Sequence, residues 1–197
     1  MKSIVQIIMA LTVLLLFAVP AQSAQKWELD KAHSSFYFNV DHIFSKTHGQ
    51  FNDFKTEISF DPNNLGESSF YFEIAVKSIN TNITKRDKHL QSGDFFDAGK
   101  YPLMTFRSKS ITDAGNGMYQ VAGDFTVKDV TYDLTIPIQL VGVKEHPTAK
   151  GKLVAGFDGR VTLDRLAYKV GSGKFYELGV IGKDVDVLVS LEVLADK

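Results

Sequence analysis

Along most of this chain apolar and polar residues take turns one by one. In Ser35-Phe36-Tyr37-Phe38-Asn39-Val40-Asp41 the even positions are apolar, while Ser, Asn and Asp fall on odd ones. Phe70 to Lys77 repeats the pattern, with Phe70, Phe72, Ile74 and Val76 on one face. Tyr132 to Leu140 does the same through Leu134, Ile136, Ile138 and Leu140. Near the C-terminus Val185, Val187, Val189, Leu191 and Val193 oppose Asp184, Asp186, Ser190 and Glu192. A period of two is that of a β-strand with one buried face. Phe51–Phe60, Leu103–Ile111, Met118–Lys128 and Lys152–Leu163 predict further strands. The total is about eight, most of them longer than the usual ~5–6 residues.

Turn residues punctuate the strands at Asp61-Pro62-Asn63-Asn64-Leu65-Gly66, at Asp113-Ala114-Gly115-Asn116-Gly117 and at Lys128-Asp129. Pro137 has no N–H to give a ladder, so it predicts an edge or a bulge in its strand. Asn82–Ser92 loses the alternation. Thr84 followed by Asp87 resembles a helix start, which predicts a short helix after the third long strand. Gly93–Pro102 reads as irregular. So does Arg165–Tyr176, where Gly171-Ser172-Gly173 reads as a flexible crossing. There is no internal repeat, linker or second domain. Long alternating antiparallel strands in one domain leave a closed barrel or a sandwich. Strand length favours an all-β, eight-stranded antiparallel barrel, whose interior is either packed solid or holds one small ligand.

The N-terminus changes the expected compartment. Lys2, an apolar run from Ile4 to Val19 and the small residues of Pro20-Ala21-Gln22-Ser23-Ala24 follow the plan of a secretory signal peptide. Residues 1–24 are therefore expected to be cleaved near Ser23/Ala24, leaving a domain over 25–197 of 173 residues in the periplasm. The run is shorter than the ~20 residues of a spanning helix, so no stable membrane insertion is expected. The chain has no cysteine, which excludes disulfides, thiolate nucleophiles and cysteine metal sites. The expected mature part has 21 basic and 23 acidic residues with no basic stripe, which argues against a nucleic-acid partner. Of 15 phenylalanines, 14 lie in it, so the interior is expected to be rich in rings.

The residues expected to point inward, and hence the candidate ligand contacts, are Phe36, Phe38, Val40, Phe72, Ile74, Val76, Phe125, Leu134, Ile136 and Phe157, with His42 continuing the face of the first strand. Periodicity does not say whether they line a pocket or fill a dry core. The histidines, at 33, 42, 48, 89 and 146, lack a diagnostic metal spacing, and no metal or other cofactor is expected. Arg86-Asp87-Lys88-His89 with Asp94-Phe95-Phe96-Asp97 offers acid, base and cation within a dozen residues. Such groups in an irregular crossing more commonly satisfy backbone groups. There is no nucleophile elbow and no phosphate-binding glycine loop, so no catalytic residue is assigned.

Trp27-Glu28-Leu29-Asp30-Lys31-Ala32-His33-Ser34, followed by Phe36, Phe38, Val40, His42, Ser45, Gly49 and Phe51, resembles the opening of the YceI-like family. Arg86–Ser92, Asp94–Asp97 and Tyr101-Pro102 resemble its central signature. Gly123–Thr131 is similar to its later strand–turn–strand segment, with Asp129 where the family more usually has glycine. The resemblance spans about residues 26–195. It implies a lipocalin-like barrel, periplasmic export, and binding of a polyisoprenoid or isoprenoid quinone as a carrier without chemistry. The alternatives are an enzyme acting on a lipid or quinone in the same barrel, and a ligand-free envelope protein with a solid core. Edge strands such as that holding Pro137 leave a homodimer open.

Overall fold

The alternating stretches become strands. A computed structural model describes residues 23–197, so the expected leader lies outside the described residues except for Ser23 and Ala24. The strands are β1 (Lys26–His42), β2 (Ser45–Phe51), β3 (Phe54–Ser59), β4 (Ser69–Ala75), β5 (Ile79–Asn80), β6 (Leu103–Gly115), β7 (Met118–Val127), β8 (Val130–Glu145), β9 (Lys152–Asp164) and β10 (Ile181–Asp196). Two helices, α1 (Thr84–Gln91) and α2 (Lys174–Glu177), interrupt the series.

Ten segments fill eight wall positions. β2 and β3 are one strand bent at Asn52-Asp53: β2 pairs with the end of β1, while β3 pairs with its start. β5 lies beyond the end of β4 and pairs with β2. The order then runs through β4, β6, β7, β8, β9 and β10, all antiparallel, and β10 pairs with β1 to close an eight-stranded barrel. Closure removes the open edges that would otherwise template aggregation. The expected strand Phe51–Phe60 is β3, preceded by the bend and by Phe51 at the end of β2. Ser45–Gln50, polar apart from Gly49, is an additional strand that alternation does not reveal.

The barrel has two unlike ends. At one, Trp27 donates its indole N–H to the Phe60 carbonyl (3.0 Å). Phe60 packs edge-on against Tyr119 (4.9 Å between ring centroids) and Phe157 (5.2 Å), and Phe157 against Phe70 (5.4 Å). These rings make a solid plug, each fully buried Phe contributing about 1.5–3 kcal/mol. The other end is roofed by the segments 81–102, which carries α1, and 165–180, which carries α2.

Pro137 sits at a local edge, as expected. β8 pairs with β7 from Val130 to Gln139, but its ladder with β9 begins only at Ile138, the residue after Pro137. The missing N–H thus falls where the β8–β9 pairing stops. The bulge in β8 lies further on, between Leu140 and Gly142.

Gly123 is required by close approach. A Cβ on it would lie 2.2 Å from the Arg107 carbonyl oxygen, beside the β6 bulge between Ser108 and Ser110. Gly123→Ala should lower the unfolding free energy by about 1–3 kcal/mol. Gly142→Ala, with nothing within 4 Å of its added methyl, should be nearly neutral. Urea denaturation checks both, and equal midpoints for the two variants would contradict this β6–β7 register.

Candidate ligand cavity

Above the plug the barrel is hollow. A cavity of about 640 Å³ occupies the roofed half. Its floor is made by Phe36, Phe72 and Phe106, with Phe36 edge-on to Phe72 (5.4 Å) and Phe72 stacked on Phe106 (5.7 Å). Its walls come from alternate residues of successive strands: Phe38 and Val40 of β1, Ile74 of β4, Met104 of β6, Phe125 and Val127 of β7, Leu134 and Ile136 of β8. On the far side stand Val161 and Leu163 of β9 and Val185 and Val187 of β10. Phe38 folds flat over Gly49 on the neighbouring strand. A Cβ at 49 would sit 2.2 Å from that ring, so the glycine keeps the ring against the wall and out of the cavity.

Of the inward residues expected from the sequence, Phe36, Phe38, Val40, His42, Phe72, Ile74, Phe125, Leu134 and Ile136 line the cavity. Val76 and Phe157 do not. β4 ends at Ala75 and Val76 begins a 3-10 turn, so it is buried in the wall, with its N–H donating to the Pro102 carbonyl (2.9 Å). Phe157 faces inward, but in the plug. Several lining residues escape strand periodicity because they come from the roof: Phe95, Phe96, Tyr168, Val170 and Phe175. Their signal in the sequence is aromatic rings in segments otherwise irregular and polar.

The roof is held by specific contacts. Phe95 and Phe175 stack across its two segments (6.5 Å, 12° between planes). The Lys128 ammonium, on the β7–β8 turn, donates to the carbonyls of Phe95 and Lys169, both at 2.9 Å. Below the mouth the wall itself parts, since Val130–Ile136 pair only with β7 and Arg160–Asp164 only with β10. Tyr168 is buried in this parting, edge-on to Tyr132 (5.3 Å) and Phe125 (5.4 Å), and burial pushes its phenol pKa up. Arg165 is buried too, donating to the carbonyls of Gly182 (2.8 Å), Val170 (2.7 Å) and Ile181 (3.3 Å). Burial pulls its pKa down, against the pull of neighbouring Asp164. Gly171, at φ +86°, leaves room for that guanidinium, which a Cβ would approach to 2.5 Å.

The polar signature of the central segment serves the roof. Arg86 donates through Nε to the Thr81 hydroxyl (2.7 Å) and through Nη2 to the Thr81 carbonyl (2.7 Å). Asp87 accepts the Thr81 N–H (2.9 Å) and hydroxyl (2.5 Å). Helix α1 starts at Thr84 as expected, but Asp87 reaches back to Thr81 rather than closing a capping box with Thr84. His89 bonds Asp94 at 3.0 Å. His42, at the cavity mouth, makes no side-chain hydrogen bond among the described residues. It shares with Thr47 and Arg86 the boundary between the apolar cavity and a polar side pocket of about 320 Å³.

One titratable cluster lies elsewhere, on the wall of the plug half. β1 advances five residues from Asp30 to Ser35 while β10 advances two from Glu192 to Ser190. The Ser34 hydroxyl bridges this bulge, donating to the Glu192 carbonyl (3.2 Å) and accepting the Glu192 N–H (3.0 Å). The bulge brings His33 to 2.9 Å from Asp30 and 3.8 Å from Glu192, a trio of metal-ligating types that no sequence spacing announces. Asp30 also accepts the Ala32 N–H (3.0 Å). These contacts read as a clasp across the bulge.

An antiparallel eight-stranded barrel plugged at one end, with a roofed apolar chamber at the other, defines a lipocalin-like binding protein. The chain belongs to the YceI-like family, whose domain model matches residues 27–193. It is 38% identical over 160 residues to a UPF0312 protein of Vibrio vulnificus, covering 79% of this chain and 84% of that one. To a UPF0312 protein of Vibrio campbellii it is 37% identical over 151 residues, 75% and 79% of the two chains. Among solved structures it is similar to BcnA of Burkholderia cenocepacia, with TM-score 0.75 and 26% identity over 84% of this chain and 99% of that one. The YceI protein of Campylobacter jejuni gives TM-score 0.67 and 30% identity, over 86% and 96%.

The clasp has a defined pH window. The hydrogen bond and charge of Asp30, with Glu192 behind, raise the His33 pKa above 6.5. The same hydrogen bond lowers that of Asp30 below 3.8. The contribution of His33 is complete below its unfolded value and is lost as pH rises through the folded one. That of Asp30 is present above its unfolded value and is lost as pH falls through the folded one. The clasp is therefore fullest between roughly pH 4 and 6.5. An NMR titration should place the His33 midpoint above 6.5, returning towards that value in Asp30→Asn; an unshifted midpoint would contradict the clasp.

Proposed function

We propose that the protein is a periplasmic carrier that holds an isoprenoid-type lipid, a polyisoprenoid or an isoprenoid quinone, in the roofed half of the barrel. The observation that carries this reading is the cavity. Its volume lies within the ~300–1,000 Å³ of small-molecule sites, and aliphatic and aromatic side chains dominate its lining. Moving a five-carbon isoprene unit from water into such surroundings is favourable by about 4 kcal/mol, at ~0.8 kcal/mol per carbon, so an apolar chain needs no charged anchor. A polar head group would meet His42, Thr47 and Arg86 at the boundary of the side pocket. The Phe36–Phe72–Phe106 floor would stop the chain from going deeper. A domain of Saccharophagus degradans described as polyisoprenoid binding shares the fold (TM-score 0.61, 16% identity, over 88% of this chain and 99% of that one).

Binding without chemistry fits the way the acid–base groups of the central Arg86–His89 segment are spent. Arg86 and Asp87 are committed to Thr81, and His89 to Asp94. The solid-core alternative required an interior filled throughout, and this one is filled only in its plugged half. Export to the periplasm belongs to the same reading, since the apolar segment at residues 4–19 suits a cleaved leader.

Protein purified from its native host and extracted into organic solvent should yield an unmodified prenyl lipid by mass spectrometry. Leu134→Glu, which puts a charge into the cavity wall, should cut the recovered lipid at least ~10-fold while the barrel still folds. Repeatedly empty extracts from folded wild-type protein would contradict the proposal.

A further inference from the structure

The rim of the cavity mouth is more apolar than folding requires. The β1–β2 hairpin turns through two residues, Ile43 and Phe44, between the paired His42 and Ser45. Two-residue hairpin loops favour Asn-Gly or Gly at such positions because they need positive φ. Here Ile43, a β-branched residue, is held at φ +52°. Its side chain is 57% exposed, and Phe44 is fully exposed. The sequence thus accepts backbone strain and leaves two large apolar side chains in water at one point.

That point is not isolated. The Ile43 N–H donates to the Val180 carbonyl (3.1 Å), joining the hairpin tip to the α2 segment, where Leu178 is 65% exposed and Tyr176 stands beside it. Ile83, 51% exposed, precedes α1. His42, Ile83, Phe175 and Val180 of these stretches line the cavity, so the apolar tips stand around its mouth. The remaining exposed apolar side chains, Tyr37, Leu103, Tyr132, Val141 and Val143, are spread along strands, as on ordinary surfaces. Lys85 and Lys88 of α1 and Lys174 of α2 form no ion pair among the described residues. The rim acids Asp41, Asp94 and Asp129 are taken by Lys46, His89 and Lys169, and Asp87 is held by Thr81, leaving Asp97 and Glu177 to oppose those three lysines.

We infer that this rim docks the cavity mouth on an anionic lipid bilayer, with Ile43, Phe44 and Leu178 entering the interface and Lys85, Lys88 and Lys174 facing lipid head groups. Apolar tips flanked by unpaired lysines are the composition that interfacial binding selects. The inference rests on the proposed lipid cargo for its purpose. A prenyl chain is held in membranes, and a mouth seated on the bilayer lets it pass into the barrel without crossing water.

The docking is tested with ligand-free protein and synthetic vesicles that contain no prenyl lipid, so its outcome is separate from that of the extraction experiment. Vesicles of phosphatidylethanolamine with phosphatidylglycerol should co-float the wild-type protein, and vesicles of phosphatidylcholine alone should co-float it at least ~5-fold less. Raised salt should weaken binding to the anionic vesicles. Ile43→Gly/Phe44→Ser and, separately, Leu178→Ser should each lower it at least ~10-fold. None of these positions lines the cavity, and the first double variant relieves the strained turn, so melting temperatures should not fall. In a Phe44→Trp, Trp27→Phe protein, tryptophan emission should shift to the blue on adding anionic vesicles. Wild-type protein that floats with neither vesicle, or variants that float as the wild type does, would overturn the inference. So would a self-associated dimer, abolished by Phe44→Ser, in a protein that ignores vesicles.

Discussion

Pairing of β10 with β1 sets the terms for everything inside. Once eight strands close on one another, strand tilt and spacing fix the bore of the barrel, and the backbone has no further freedom to collapse onto its contents. The volume within must then be filled by side chains or by something else. Bulges at Asp30–Ser35 and Ser108–Ser110, and the bend at Asn52-Asp53, let the long strands coil around that bore without losing their ladders.

The chain fills half of it. Phe60, Phe70, Tyr119 and Phe157 meet edge to face from four different wall positions and fill this end. Beyond the floor at Phe36, Phe72 and Phe106 the inward residues are mostly Val, Leu, Ile and Met, too short to meet across the axis, and a chamber of about 640 Å³ remains. Two segments cover it where strand ends alone would leave it open. They are tied to each other by a ring stack between Phe95 and Phe175, and to the barrel by Lys128 of the β7–β8 turn and by Arg165, which reaches Ile181 and Gly182 of β10. The roof also buries Phe95, Ala98, Tyr168 and Val170 in the core, so it is part of the packed structure that encloses the chamber.

How much of this is legible in the sequence depends on the residue. Phe36, Phe38 and Val40 are legible because period two persists through β1 and one-residue register slips are costly. Val76 misleads because alternation continues in the sequence one step past the end of β4, where the backbone has already turned. Phe157 misleads for another reason: facing inward does not say which half of the barrel a residue occupies. That depends on the ring-to-aliphatic content of strands far apart in the chain. β2 is hidden because Ser45–Gln50, with Gly49 against the Phe38 ring, are polar or small. The roof residues Phe95, Tyr168 and Phe175 carry no periodicity at all, and the clasp joins Asp30 and His33 to Glu192, 162 and 159 positions away in sequence.

The division of the barrel into a filled half and a hollow half is open to direct measurement. A crystal structure of protein taken from its native host, without added ligand, should show elongated density running from the mouth near His42 down to the Phe36–Phe72–Phe106 floor and ending there. Density reaching past that floor between Phe60 and Phe157, or side chains closing the upper chamber with no space left for a ligand, would contradict it.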